Sequence, residues 1–130
     1  EATGAVQLPL YGRIAAGLPI EAMRDSGAQV EVSVAMLGGG EHYALEVAGD
    51  SMIEAGILDG DFIVARAQQV AEKGDIIIAG IPGDEATVKT YTRKGNKVVL
   101  LPANPALSPM EFDPSEVSIY GKVVTVLRRL

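Results

Sequence analysis

The sequence predicts a mostly β protein: a compact all-β domain of short antiparallel strands and hairpins with one short helical turn. Runs rich in Val, Ile, Thr and Tyr are separated by Gly, Pro, Asn and Asp. Sustained 3.6-residue periodicity is scarce, so amphipathic helices have little to build on. Two turn sequences, Pro82-Gly83-Asp84 and Lys94-Gly95-Asn96-Lys97, each sit between strand-type runs.

In chain order, residues 1–30 differ from the rest. Gly4, Pro9, Gly12, Gly17, Pro19 and Gly27 interrupt small apolar patches, and the segment reads as a mobile arm ahead of a β-rich domain at 31–130. Gly38-Gly39-Gly40 reads as a loop tip. Strands are expected at Tyr43–Val47, Phe62–Arg66, Asp75–Ile81, Glu85–Arg93, Val98–Leu101 and Val117–Leu127, the third to fifth forming a meander through the two turns. Ser51 to Ile57 is the best short helix, with Ser51 as its cap and Glu54 three residues later as in a capping box.

A chain of 130 residues fits one domain with a real core, and its 48% hydrophobic and 22% charged residues are those of a folded protein. There is no cysteine and one histidine, so disulfides, thiolate metal sites and histidine clusters are excluded, and no cofactor or metal is expected. No apolar run is long enough for a membrane helix and no signal peptide is evident, which makes the cytoplasm the expected location. The net charge of −6 argues against DNA binding by this segment itself. A first residue of Glu1 rather than Met points to a fragment of a longer product or a processed form.

Ser51 lies in Gly49-Asp50-Ser51-Met52, between a strand and a helical turn, where a nucleophile would be exposed and amide N–H groups could face an oxyanion. The same position suits a plain helix cap. Lys89 lies in Ala86-Thr87-Val88-Lys89-Thr90-Tyr91, where alternation sets Thr87, Lys89 and Tyr91 on one face; a lysine there is ordinarily solvated. His42 has no evident acidic partner, so a serine-histidine-aspartate triad is not expected. A serine without histidine needs another base, and a lysine can act only if burial favours its neutral form. Asp59-Gly60-Asp61 reads as a tight turn rather than a calcium loop, Met36 and Met52 as core or loop fillers, and Arg128-Arg129 as a solvated end.

Three segments in order are Gly12-Arg13-Ile14-Ala15-Ala16-Gly17, Gly49-Asp50-Ser51-Met52 with Gly56-Ile57-Leu58-Asp59-Gly60-Asp61, and Glu85-Ala86-Thr87-Val88-Lys89. Gly95-Asn96-Lys97-Val98 and Leu101-Pro102-Ala103-Asn104-Pro105 follow. Together they resemble the LexA, UmuD and phage-repressor family of self-cleaving proteins across almost the whole chain. The resemblance implies a LexA- or signal-peptidase-like β fold, with Ser51 as nucleophile, Lys89 as general base and later general acid, and Ala16-Gly17 as the scissile bond. It implies an oxyanion hole from the N–H groups of Asp50 and Ser51, and an arm that docks over the site and buries Lys89. It further implies a homodimer, with the last strand, Val117 to Leu130, as the expected dimer edge. The expected partners are RecA filaments on single-stranded DNA as a co-protease, and operator DNA through an N-terminal helix-turn-helix domain absent from this chain. The function implied is that of an SOS-response repressor inactivated by its own cleavage. A translesion polymerase accessory protein like UmuD is the alternative. A membrane-anchored signal peptidase and an inactive dimerisation module fit less well.

Overall fold

In the computed structural model, which describes residues 4–13, 24–83 and 85–128, nine strands form one sheet. They are β1 (Ala5–Arg13), β2 (Arg24–Ser33), β3 (His42–Glu46), β4 (Phe62–Ala67), β5 (Ile76–Ile81), β6 (Glu85–Lys94), β7 (Lys97–Leu101), β8 (Met110–Phe112) and β9 (Ser118–Leu127). Their spatial order is β2-β1-β3-β4-β9-β5-β6-β7-β8. Six strands follow the sequence reading closely, and β5-β6-β7 is the expected meander. Among the described residues no helix is long and apolar enough to cross a membrane.

β1, β2 and β8 are absent from the sequence reading. β1 and β2 form an antiparallel hairpin arm, and β2 runs on past residue 30 to Ser33. Pro9 is accommodated in β1 because the register with β2 shifts just after it, and pairing with β3 begins only at Leu10. Among the described strands the β1–β3 pair is parallel and the other pairs antiparallel: Leu10 lies opposite Ala44 and Arg13 opposite Glu46.

Two other expectations need correction. The expected helix from Ser51 is a single 3-10 turn, Ile53–Ala55, capped by Met52 without a side-chain bond and ended by Gly56 at φ 81°. The last strand is an edge only in part: β9 lies between β4 and β5 as far as Lys122, and beyond it pairs with β4 alone. Its register with β5 covers Ser118 to Lys122, whereas pairing with β4 continues to Leu127.

Apolar side chains gather in three clusters. Leu45, Met52, Ile57, Ile63, Ile78 and Val88 form the largest; Ile77, Tyr91, Val98 and Leu100 form a second; Leu8, Val32 and Val64 tie the arm to β4. Ile77 and Ile78, adjacent on β5, enter different clusters, so that strand is covered on both faces. The same holds for β6, through Val88 and Tyr91. The centre of the sheet is drawn tight at Gly121, whose neighbour Tyr120 accepts a hydrogen bond at its carbonyl from Tyr43 Oη at 2.8 Å, joining β3 to β9 across β4.

Candidate active site

Because both faces of β6 are covered, a lysine in its middle is largely shielded from bulk water and meets it only along the cleft beside Ser51. Lys89 is 9% exposed, and burial lowers its pKa from the ordinary value of 10.5. Its ammonium donates to Ser51 Oγ at 3.2 Å and to Thr87 Oγ1, two residues along the same strand face. When the proton leaves Lys89, that same separation lets Ser51 Oγ–H donate to Nζ, the geometry a general base requires. Ser51 and Lys89, both expected from the sequence as site residues, are brought together by the fold from positions 38 apart.

Ser51 is therefore not a helix cap. It stands on a turn entered through Gly49 at φ 91°, a conformation that favours glycine. Gly49 N–H donates to Asp59 Oδ1 at 2.8 Å. The segment after β7 braces the other side: Ala103 N–H donates to the Ser51 carbonyl at 2.8 Å, and Glu54 N–H donates to the Ala103 carbonyl at 2.8 Å. Asn104 Nδ2 donates to the Asp50 carbonyl at 3.0 Å. Among the described residues, the N–H groups of Asp50 and Ser51 make no hydrogen bond.

A cleft of about 330 Å³ opens beside the pair, with Val47, Ala48, Met52, Ile81, Leu107 and Met110 among its lining residues. It is mostly apolar, which keeps the lysine poorly hydrated and offers room for small side chains. Ala16 and Gly17 lie outside the described residues.

Asp59-Gly60-Asp61 is a tight turn, as read, with Gly60 at φ 87°. Arg128 is not simply a solvated end: its guanidinium donates to both carboxylate oxygens of Asp61, at 2.8 and 2.7 Å, and to the Gly56 carbonyl at 2.8 Å. Asp61 is 3% exposed, and the Arg128 guanidinium, helped by the Leu58 N–H, holds its carboxyl below the ordinary range. His42 sits at the opposite end of β3 from Glu46, buried, its Nδ1–H donating to the Gly40 carbonyl at 3.1 Å.

Thr87 and Asn104 were not expected from the sequence as partners of Lys89 and of the Ser51 turn. Only the period-two spacing of Thr87 and Lys89 carried any signal. Thr87 accepts from the charged form of Lys89, so Thr87→Val will lower the lysine's pKa further, read as a lower midpoint when its ¹³Cε resonance is followed by NMR against pH. An unchanged or higher midpoint would mean that the hydroxyl does not stabilise the ammonium.

A sheet that sets a buried lysine beside a serine at the mouth of an apolar cleft suits a peptidase. The Peptidase S24-like family matches residues 9–124, and the chain belongs to that family. Within it, the chain is similar to LexA repressors. It is 55% identical over 126 residues to that of Gluconacetobacter diazotrophicus, 97% of this chain and 50% of that protein. Identity to the LexA repressor of Granulibacter bethesdensis is 53% over 125 residues, 96% of this chain and 52% of that protein. For Novosphingobium aromaticivorans it is 50% over 128 residues, 98% of this chain and 54% of that protein. The chain thus spans about half the length of the relatives it matches.

Proposed function

We propose that this chain is the self-cleaving, dimer-forming C-terminal domain of an SOS-response repressor, and that it hydrolyses its own Ala16-Gly17 bond with Ser51 and Lys89. The observation that carries the reading is the buried Lys89 Nζ at 3.2 Å from Ser51 Oγ in an apolar cleft. The direction of β1 adds support. Running parallel to β3, it reaches Arg13 opposite Glu46, just before Val47 and Ala48 of the cleft wall. Three residues of chain separate Arg13 from Ala16, a span of at most roughly 10 Å.

Neutral Lys89 takes the proton from Ser51 Oγ as the oxygen attacks the Ala16 carbonyl carbon. The N–H groups of Asp50 and Ser51 hold the resulting oxyanion. As the Ala16-Gly17 bond breaks, the Lys89 ammonium gives its proton to the departing Gly17 amine, leaving Ala16 as an ester on Ser51. Water, deprotonated by the again neutral Lys89, hydrolyses that ester and frees the Ala16 carboxylate. The small side chains at Ala15, Ala16 and Gly17 fit a bond that must enter a narrow site of its own domain.

The arm at residues 1–30 would deliver the bond to the catalytic domain at 31–130 and withdraw Lys89 from water when docked, with RecA filaments on single-stranded DNA favouring the docked state. Operator binding belongs to an N-terminal helix-turn-helix domain outside this sequence, in keeping with relatives named as repressors and about twice this length. Val123 to Leu127, beyond the β5 register, is the stretch of β9 through which two copies would pair. The protein acts in the cytoplasm. No observation favours the polymerase accessory alternative.

Incubating the purified chain from about pH 6 to about pH 11 without RecA, and following intact mass, tests the reading. Fragments 1–16 and 17–130 should appear faster as pH rises toward the deprotonation of Lys89, and Ser51→Ala should remain whole. A folded chain that stays intact at every pH would overturn it.

A further inference from the structure

Asp50 and Ser51 share a peptide unit whose orientation decides whether the Ser51 N–H can serve an oxyanion. In a trans peptide the carbonyl and the following N–H point to opposite sides, so fixing one aims the other. The described residues contain no cis peptide bond. The Asp50 carbonyl is held by Asn104 Nδ2–H at 3.0 Å and more weakly by Ile53 N–H at 3.3 Å. The amide of Asn104 is itself oriented: its Oδ1 accepts Ala106 N–H at 2.9 Å, which leaves Nδ2 to face Asp50. Ala103, next to it, holds the Ser51 carbonyl on the other side of the nucleophile.

We infer that Asn104 is a positioning residue that sets the Asp50–Ser51 peptide so that the Ser51 N–H faces the reacting carbonyl. The inference rests on the proposed Ser51 nucleophile and goes beyond it by naming what aims the oxyanion donor. Asn104 is not among the residues that line the cleft, and its side-chain amide bonds to the Asp50 carbonyl and the Ala106 N–H. It lies in the loop between β7 and β8, far in sequence from the turn it braces, so the geometry of that turn depends on how this loop docks. A peptide unit free to rotate would present its carbonyl toward the developing negative charge in some conformers and its N–H in others. Loss of a direct oxyanion donor lowers rates by ~100- to 1,000-fold, and loss of a group that only orients one should lower them by about 10- to 100-fold.

The test compares self-cleavage of the unmodified chain, Asn104→Ala and Asn104→Ser across pH, with ¹H–¹⁵N spectra of each. Serine keeps an oxygen for the Ala106 N–H but is too short to reach the Asp50 carbonyl. Both variants should cleave about 10- to 100-fold more slowly at the high-pH plateau. The pH midpoint should not move, and the Ser51 amide resonance should shift while those of β5 and β6 stay in place. Cleavage by Asn104→Ser at the unmodified rate would reduce Asn104 to a loop former and overturn the inference. So would a displaced pH midpoint, which would mean an action on Lys89, or loss of the β5 and β6 resonances, which would mean a role in folding. If the unmodified chain does not cleave, the function itself falls, and this inference with it.

Discussion

Lys89→Met will fold, fail to cleave, and melt at a higher temperature than the unmodified chain, with the difference greatest at the acid end of the accessible range. The rate should fall by at least about four orders of magnitude, as when a member of a catalytic group acting as a unit is removed. The stability change follows from burial. The lysine's pKa is lowered from 10.5 in the folded state, so between that lowered value and 10.5 the folded chain binds fewer protons than the unfolded one. Stability therefore rises with pH through this window, and below it the full penalty of a desolvated ammonium is present. Methionine fills a similar volume without that penalty. Melting curves taken near neutral pH and again near pH 10 will measure the gap, which should narrow as 10.5 is approached. A variant less stable than the unmodified chain at every pH would mean that the bonds to Ser51 and Thr87 outweigh the desolvation.

Gly121→Ala will have the largest effect on stability, a loss of about 2–4 kcal/mol and a fall in melting temperature of roughly 10 °C. A Cβ there would lie 2.8 Å from the Arg66 carbonyl and 2.5 Å from Tyr43 Oη, the hydroxyl that bonds across β4 to β9. Neither can yield cheaply: one is backbone, and the other would give up its hydrogen bond. Gly121 is paired on both sides, with Ala67 of β4 and Ile78 of β5, so any shift spreads to β5 and through it to β6, which carries Lys89. Gly39→Ala is the control, since nothing lies within 4 Å of a Cβ built there. Chemical denaturation of the two variants compares them, and equal stability would show that the sheet centre is looser than its packing implies.

Strands β3 to β7 and β9 were legible because each is a run of β-branched and apolar residues bounded by turn formers. β1 and β2 were not, because Pro9, Gly12 and Gly27 break the pattern locally while pairing to neighbours overrides it. Ser51 looked like a cap because local sequence cannot know that Lys89 arrives from another strand to claim its hydroxyl. The depth of β9 in the sheet was hidden for the same reason: length and apolarity suit an edge that recruits a second copy and an interior strand equally. Asn104, which holds the Asp50 carbonyl from a distant loop, carries no local mark of that task.

The place of β1 in the sheet bears on what a cut would accomplish. β1 is held by β2 on one side and β3 on the other, and the proposed scissile bond lies between the two strands of that hairpin. Severing the connection breaks none of the pairings that join β1 to its neighbours. The two pieces would remain one particle, nicked rather than divided, until β1 slips out from between β2 and β3. Hydrolysis would then start a clock, and the lifetime of that interlocked product would govern when whatever precedes β1 drifts away from its former partner.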